Sequence, residues 1–366
     1  MAYDQKKRFP GESDEAFPAP FISPPSPVTT IKPGQLPYTE IQKFFDEGYL
    51  VVKNFFTRDE LDSCRRDIEV MVEQLAQKLF NTGKVKNLYR EYGLFQRLTK
   101  LEEEYTGANI LLFKYQKMPE SIQKLWSNER ILNLMEQILG PEIAGHPVWN
   151  LRTKTPKSEA VNIPWHQDSG YFSNESYDHM IATAWIPFLD ATEENGCMEM
   201  AKFGHRSGKV AVHECCAGPT WYIMLAHEVM RDALGVDLEK HIIPEPVPYG
   251  GFILFNNLTP HRSLPNNSND VRWSVDLRWQ SPKLPYGFFG IQDGILFRSP
   301  GQPDLKPDWK AFFSVDRKLV WQQRFSKEGD DANNEFDTRI TGPWIGKWEV
   351  VNHNAHTDLF TKITSG

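Results

Sequence analysis

The chain has 366 residues, 41 basic against 48 acidic side chains, 40% hydrophobic content and 26 prolines, which is enough polypeptide for a sizeable core and too apolar for general disorder. Its net charge of -7, with no block of five or six like charges, lacks the basic footprint of phosphate-backbone binding, so nucleic acid is not an expected partner. The longest apolar runs, such as Ile110 to Phe113 and Phe252 to Phe255, fall far short of the roughly 18–20 residues of a membrane span.

Met1 to Glu15 is charged and carries no apolar stretch before a small-residue cleavage site, and Thr364, Ser365 and Gly366 are not a peroxisomal address, so the expected compartment is cytoplasmic. Four cysteines, with Cys215 and Cys216 adjacent, make neither a disulfide framework nor a zinc spacing. All four are expected to be reduced.

Residues 1–37 form a proline-rich N-terminal arm, with eight prolines between Phe9 and Pro37, a composition that favours extended chain over a packed core. A short helix is expected from Tyr38 to about Glu47 and a strand from Tyr49 to Lys53. Thr57-Arg-Asp-Glu60 then has the spacing of a capping box. Leu61, Cys64, Ile68, Val72, Leu75 and Leu79 recur at three- and four-residue steps, the stripe of a long helix lying on something larger. Another helix is expected from Asn128 to Leu139, closed by Gly140.

From about Ile143 the texture changes to short apolar runs between turn residues. Strands are expected at Pro147 to Thr153, His179 to Phe188, Cys197 to Lys202, Gly251 to Phe255 and Val271 to Gln280, with a helical insertion at Thr220 to Leu234. The fold class is mainly β with a helical layer, an α+β arrangement around an antiparallel barrel or jelly roll. Residues 38–285 form this domain, and 286–366 a C-terminal extension packing on it.

The strongest chemical clue is Trp165-His166-Gln167-Asp168, where an imidazole and a carboxylate two residues apart would share one side of a strand. His261 follows the barrel strand at 251–255 and supplies a third ligand. Two histidines and one carboxylate form the facial triad of non-haem iron(II) oxygenases, which leaves metal positions open. Eleven residues beyond His261 stands Arg272. Alone it reads as a surface residue pairing with Asp276. Beside the triad, its guanidinium fork implies a dicarboxylate co-substrate. 2-Oxoglutarate would chelate iron at one end and give its distal carboxylate to Arg272, helped by the hydroxyl of Ser263 or Ser274.

His166-Gln-Asp168, Thr183-Ala-Trp185-Ile-Pro, Glu193-Glu-Asn-Gly-Cys-Met198, Gly204-His-Arg-Ser207 and His261-Arg-Ser263 with Arg272 together resemble the phytanoyl-CoA dioxygenase family, over roughly Leu36 to Gln280. The resemblance implies a double-stranded β-helix core of the jelly-roll, cupin-like kind. It also implies iron(II), 2-oxoglutarate and molecular oxygen, with hydroxylation of a C-H bond and release of succinate and carbon dioxide. Carried over, His166, Asp168 and His261 take the iron, Arg272 and Ser263 the distal carboxylate, and Trp185 lines the co-substrate pocket. Asn150 is a further co-substrate contact. Related halogenases resemble this pattern with a small residue at the carboxylate position, so Asp168 speaks for oxidation over halogenation. No basic cluster is visible to hold the phosphates of a CoA ester.

The expected partner is a small or lipid-like organic substrate, met by Tyr171 and Phe172, and no oligomeric state is set. Two other readings keep the barrel: a hydrolytic or isomerising divalent-metal protein, and a non-catalytic carboxylate-binding barrel. His205 is expected as a structural hydrogen-bonding residue, and His353 and His356 as solvated. Replacing His166 or Asp168 by alanine is expected to abolish oxidation with the fold intact, and Arg272→Ala to raise the demand for 2-oxoglutarate.

Overall fold

Strand Arg272–Gln280 is buried along its whole length and organises the sheet around it. In this computed structural model, which describes residues 8–115, 117–325 and 334–360, it pairs antiparallel with Ala182–Pro187 on one side. On the other side it meets Asn150–Lys154 and Ile143–Gly145 in succession. The sheet continues through Phe252–Asn256 to Tyr49–Val52 at one edge and through Ile295–Arg298 at the other. A second sheet of His261–Ser263, Met198–Ala201 and Ile242–Glu245 is also antiparallel. A small third sheet sets Glu349–Val350 parallel to Glu214–Cys215, which pairs with Ile223–Met224.

Period-two alternation sorts the side chains of the large sheet between two environments. Trp273, Val275, Leu277, Trp279, Ala184, Ile186 and Leu254 share one apolar core with the helices, whose contributions include Ile68, Leu79, Trp126 and Leu134. Trp185, Ile253, Phe255 and Tyr49 face the other way and pack with Met198 and Met200 of the second sheet. The polar residues Arg272, Ser274, Asp276 and Arg278 alternate with the tryptophans on strand Arg272–Gln280. Buried indoles need acceptors, and Trp126 and Trp279 exchange such bonds, donating to the carbonyls of Arg278 at 3.0 Å and Trp126 at 3.1 Å.

The long helix runs Arg58–Asn81, opened by the Thr57–Glu60 capping box, and buries all six residues of its expected stripe. Helix Glu129–Leu139 starts at the side-chain cap of Asn128 and ends at Gly140. Three expectations are corrected. The segment from Thr220 forms strand Ile223–Met224 first, and only His227–Leu234 is helical, because Trp221 and Ile223 fill buried positions beside the small sheet. Asp168 does not lie on a strand with His166. His166 forms an isolated bridge to His261, and Asp168 opens a 3-10 turn, Asp168–Gly170. Cys215 and Cys216 are not reduced but joined as a disulfide across a cis peptide, with Cα atoms 2.9 Å apart. Spacing rules for pairs distant in sequence say nothing of such a neighbour pair. Cys64 and Cys197 are free and buried.

Residues on both sides of the sheets lie against them. Phe21, from the proline-rich segment, is fully buried in the main core, and Phe17 donates its amide to the Gly208 carbonyl. From the other end, Trp348 donates its indole N–H to the Gly170 carbonyl at 2.8 Å, and Lys347 donates to the carbonyls of Ser169 and Phe172. Among the described residues, no helix is long and apolar enough to cross a membrane. The expectations for Met1 to Lys7 and for the last six residues fall outside the described residues.

Candidate metal and co-substrate site

The bridge between His166 and His261 exchanges both backbone hydrogen bonds at 3.0 Å and brings the two rings to a centroid separation of 4.2 Å. Each ring is oriented by the same local device: its Nδ1 donates to a carbonyl two residues upstream, Pro164 for His166 and Thr259 for His261, both at 2.9 Å. That hydrogen bond fixes the tautomer and leaves Nε2 with a lone pair. Asp168 Oδ1 stands 3.7 Å from the Nε2 of His166 and 3.9 Å from that of His261. One ligand atom from each of the three residues lies within 4.8 Å of the others, so each can sit ~2.0–2.2 Å from a common ion.

Asp168 has a further partner. Arg278 grips the carboxylate with two parallel bonds, Nε to Oδ2 at 2.9 Å and Nη2 to Oδ1 at 3.0 Å, and Thr183 donates to Oδ2 at 3.1 Å. Burial alone would raise the carboxyl pKa. The Arg278 guanidinium, followed by His166 and His261, outweighs it and holds Asp168 well below its ordinary value. The carboxylate is therefore charged and oriented before any metal arrives.

A second polar centre lies on the same strand. Arg272 is buried, its Nη1 donates to Ser274 Oγ at 2.6 Å, and its guanidinium lies 5.1 Å from the centre of the Trp185 ring. Its Nε is buried with no hydrogen-bond partner. Directly across the ladder stands Lys154, also buried, donating to Ser263 Oγ at 2.9 Å and Asn162 Oδ1 at 2.7 Å. Burial first, then the charges of Arg272 and Arg152, pulls Lys154 well below its usual pKa. Arg272 is lowered to about 10, chiefly by burial. Like charges set opposite on a buried ladder are unfavourable, and an anion between them resolves the conflict. A cavity touched by Arg152, Lys154 and Arg272 lies there.

A larger cavity, roughly 690 Å³ of empty space with the open solvent at its mouth included, is lined by His166, Asp168, Asn150 and Tyr171 among others. Half of its lining side chains are aromatic.

The sequence profile described as phytanoyl-CoA dioxygenase (PhyH) matches residues 44–274. The chain belongs to that family. It is similar to a phytanoyl-CoA dioxygenase domain-containing protein 1 of Danio rerio, 22% identical over 64% of this chain and 86% of the relative. It is also similar to a 1-deoxypentalenic acid 11-beta-hydroxylase of Streptomyces arenae, 28% identical over 72% of this chain and 92% of the relative. In fold it is like the non-heme monooxygenase ThoJ in its apo form, at a TM-score of 0.52 and 17% identity, covering 76% of this chain and 94% of that one.

As a member of the phytanoyl-CoA dioxygenase family, the protein is a 2-oxoglutarate-dependent dioxygenase with iron(II) as its metal. The donor set fits that metal, since two neutral imidazoles and one carboxylate suit iron(II) with open positions. The orphaned donor of Arg272 fits a carboxylate. Of the residues named from sequence, His166, Asp168 and His261 converge, and Arg272 and Ser274 are bonded to each other. Ser263 accepts from Lys154 and does not reach Arg272 by a hydrogen bond, Trp185 lies under the guanidinium, and Asn150 lines the larger cavity. Arg272 is not a surface residue pairing with Asp276. Asp276 instead takes Arg152, at 2.6–2.7 Å.

Sequence reasoning missed Arg278, Lys154 and Lys347. His213 is a buried, hydrogen-bonded core histidine: it accepts the Gln167 amide at 3.0 Å and donates to the Ala211 carbonyl at 2.8 Å, bracing the segment between His166 and Asp168. His205 is the expected structural residue, bonded to the Phe45 carbonyl at 2.9 Å. His353 is exposed, whereas His356 is buried, contrary to expectation, because it accepts the Ile340 amide and packs on Trp221.

These buried rings give a pH dependence. Burial, the largest cause in each case, lowers His146 and His213 to about 3 and His205 and His356 to about 4. The unfolded chain, with histidines near 6.5, takes up protons that the folded one refuses, so stability is full above that value and falls as pH drops toward 4. Each ring contributes up to about 1.4 kcal/mol per pH unit. Urea midpoints of the metal-free protein should fall steadily between pH 6.5 and 4.5. A flat profile contradicts the burial assignment.

Proposed function

We propose that the protein hydroxylates a C–H bond of a small or lipid-like organic molecule bound in the large cavity, within a jelly-roll core of the double-stranded β-helix type. In this reading His166 Nε2, Asp168 and His261 Nε2 hold the iron. Arg272, with Lys154 opposite, receives the distal carboxylate of 2-oxoglutarate above Trp185, and Ser274 orients the guanidinium. The observation that carries the reading is the convergence of three ligand atoms, each fixed by its own hydrogen bonds, at the inner end of an aromatic cavity. The similarity to a hydroxylase of 1-deoxypentalenic acid supports hydroxylation as the outcome.

Bound iron(II) with 2-oxoglutarate and oxygen supplies the oxidising chemistry. The chain supplies the rest. Arg278 and Thr183 hold the Asp168 carboxylate ionised and aimed. The paired backbone bonds of His166 and His261 keep the two imidazoles facing one point. Tyr171, whose ring lies edge-on to His166 at 5.3 Å, and Phe172 wall the metal from water. Phe288, Phe289, Ile340 and Trp344 serve as a cover in this reading, with Lys347 and Trp348 fastening the last of them to the turn that bears Asp168. Turnover of 2-oxoglutarate to succinate by the iron-loaded protein, and its loss in His261→Ala, tests the proposal. Equal succinate formation in that variant contradicts it.

A further inference from the structure

The cavity beside the metal site has a chemical character that the dioxygenase assignment does not specify. Trp221 and Phe113 stack within it, 5.8 Å apart and 26° from parallel. Tyr171 meets Trp344 edge-on at 6.0 Å. Trp344 Nε1 donates to the Trp221 carbonyl at 2.9 Å, so the ring walls are tied to one another. No methionine lines the space among the described residues, and methionine is the residue of adaptable, promiscuous surfaces. The walls are preformed and suit a rigid ligand.

Each of the two guanidiniums lining the cavity has a carboxylate partner. Arg278 is committed to Asp168, and Arg152 to Asp276 at 2.6–2.7 Å. Neither guanidinium is left to receive a phosphate or a carboxylate from the substrate.

Part of the wall comes from outside the family-matched region. Phe288, Phe289, Ile340 and Trp344 all line the cavity, whereas the match ends at residue 274. Phe289 sits at φ 53°, a conformation that costs a bulky residue energy and is kept where a side chain must be placed.

We infer that the substrate is an uncharged, carbon-rich molecule with a rigid ring skeleton, and that Phe288, Phe289, Ile340 and Trp344 select it. The inference rests on the dioxygenase reading of the adjoining metal site. An acyl-CoA ester or a polar zwitterion finds no complementary charge in the chamber.

The test uses the full-length protein, loaded anaerobically with iron(II) and 2-oxoglutarate, and Nile red, a neutral planar dye that brightens in apolar sites. Binding with a micromolar Kd is expected, weakened at least about tenfold in both Trp344→Ala and Phe289→Ala and retained in Trp344→Phe. Palmitoyl-CoA and L-proline are expected to leave the dye in place, and neutral steroids to displace it. Absent dye binding, binding indifferent to both alanine substitutions, or displacement by palmitoyl-CoA or proline overturns the inference. The visible band of chelated 2-oxoglutarate, recorded on each sample, separates the two failures. A band without ring-ligand binding sinks the substrate class alone, and a missing band in folded protein sinks the dioxygenase reading with it.

Discussion

Asp168→Ala is expected to abolish oxidation and, unlike His166→Ala, to destabilise the metal-free protein by about 3–5 kcal/mol, because it strands the buried Arg278 guanidinium without its counter-charge. Both side chains are almost wholly buried, and Asp168, held by two parallel bonds at 2.9 and 3.0 Å, is the only carboxylate closer than 4.0 Å to Arg278 among the described residues. The sequence alone suggested that either substitution would spare the fold. The structure separates them. His166→Ala forfeits one hydrogen bond to the Pro164 carbonyl and some packing, a loss of about 1–2 kcal/mol. Urea unfolding of both variants without metal provides the comparison. Adding Arg278→Met to Asp168→Ala should recover part of the lost stability, since it removes the uncompensated charge. Equal stability of the two single variants would contradict the account of Arg278.

Arg272→Met is expected to weaken 2-oxoglutarate binding by at least about 30-fold, the lower end of the cost of truncating one partner of a buried charge pair, about 2–5 kcal/mol. The same substitution should leave the metal-free protein within about 1 kcal/mol of the parent or make it more stable, since it relieves Lys154 of a buried like charge directly opposite. Lys154→Met should behave in the same direction. A purely structural arginine would show the reverse: lower stability and unchanged co-substrate affinity. Calorimetric titration of manganese-loaded protein with 2-oxoglutarate, paired with urea unfolding of the apo form, measures both quantities.

The three converging residues were legible in sequence because the information is local. His166 and Asp168 are two residues apart, and His261 follows the apolar run at 252–255 that forms a central strand. The detail of how they meet was not legible. A strand was the natural expectation for two side chains on one side, yet a bridge residue followed by a 3-10 turn achieves the same convergence. Arg278 lies six residues beyond Arg272 on one strand, so period-two alternation places both on the same face. The alternation that links Arg272 to Ser274 and Asp276 reaches Arg278 at its next position.

Lys154 is a different case, since its opposition to Arg272 is a matter of register between strands more than a hundred residues apart. Nothing in the local pattern of 150–154 distinguishes it from a solvated edge lysine. Lys347 lies still further from its partners, the carbonyls of Ser169 and Phe172. The aromatic residues after 286 lacked a clean helical or strand period because several of them, Phe288, Phe289 and Trp344, line a cavity. Such a surface imposes no fixed spacing on the residues that meet it.

In the proposed site His166, Asp168 and His261 hold iron(II) next to a place for 2-oxoglutarate governed by Arg272. Anaerobic addition of iron(II) and then 2-oxoglutarate to the metal-free protein tests it most directly, through the weak visible charge-transfer band of a chelated keto acid. The band should appear in the parent, vanish in His261→Ala, and require far more 2-oxoglutarate in Arg272→Met. Its absence from folded, metal-loaded parent protein, or its persistence in His261→Ala, would contradict the account.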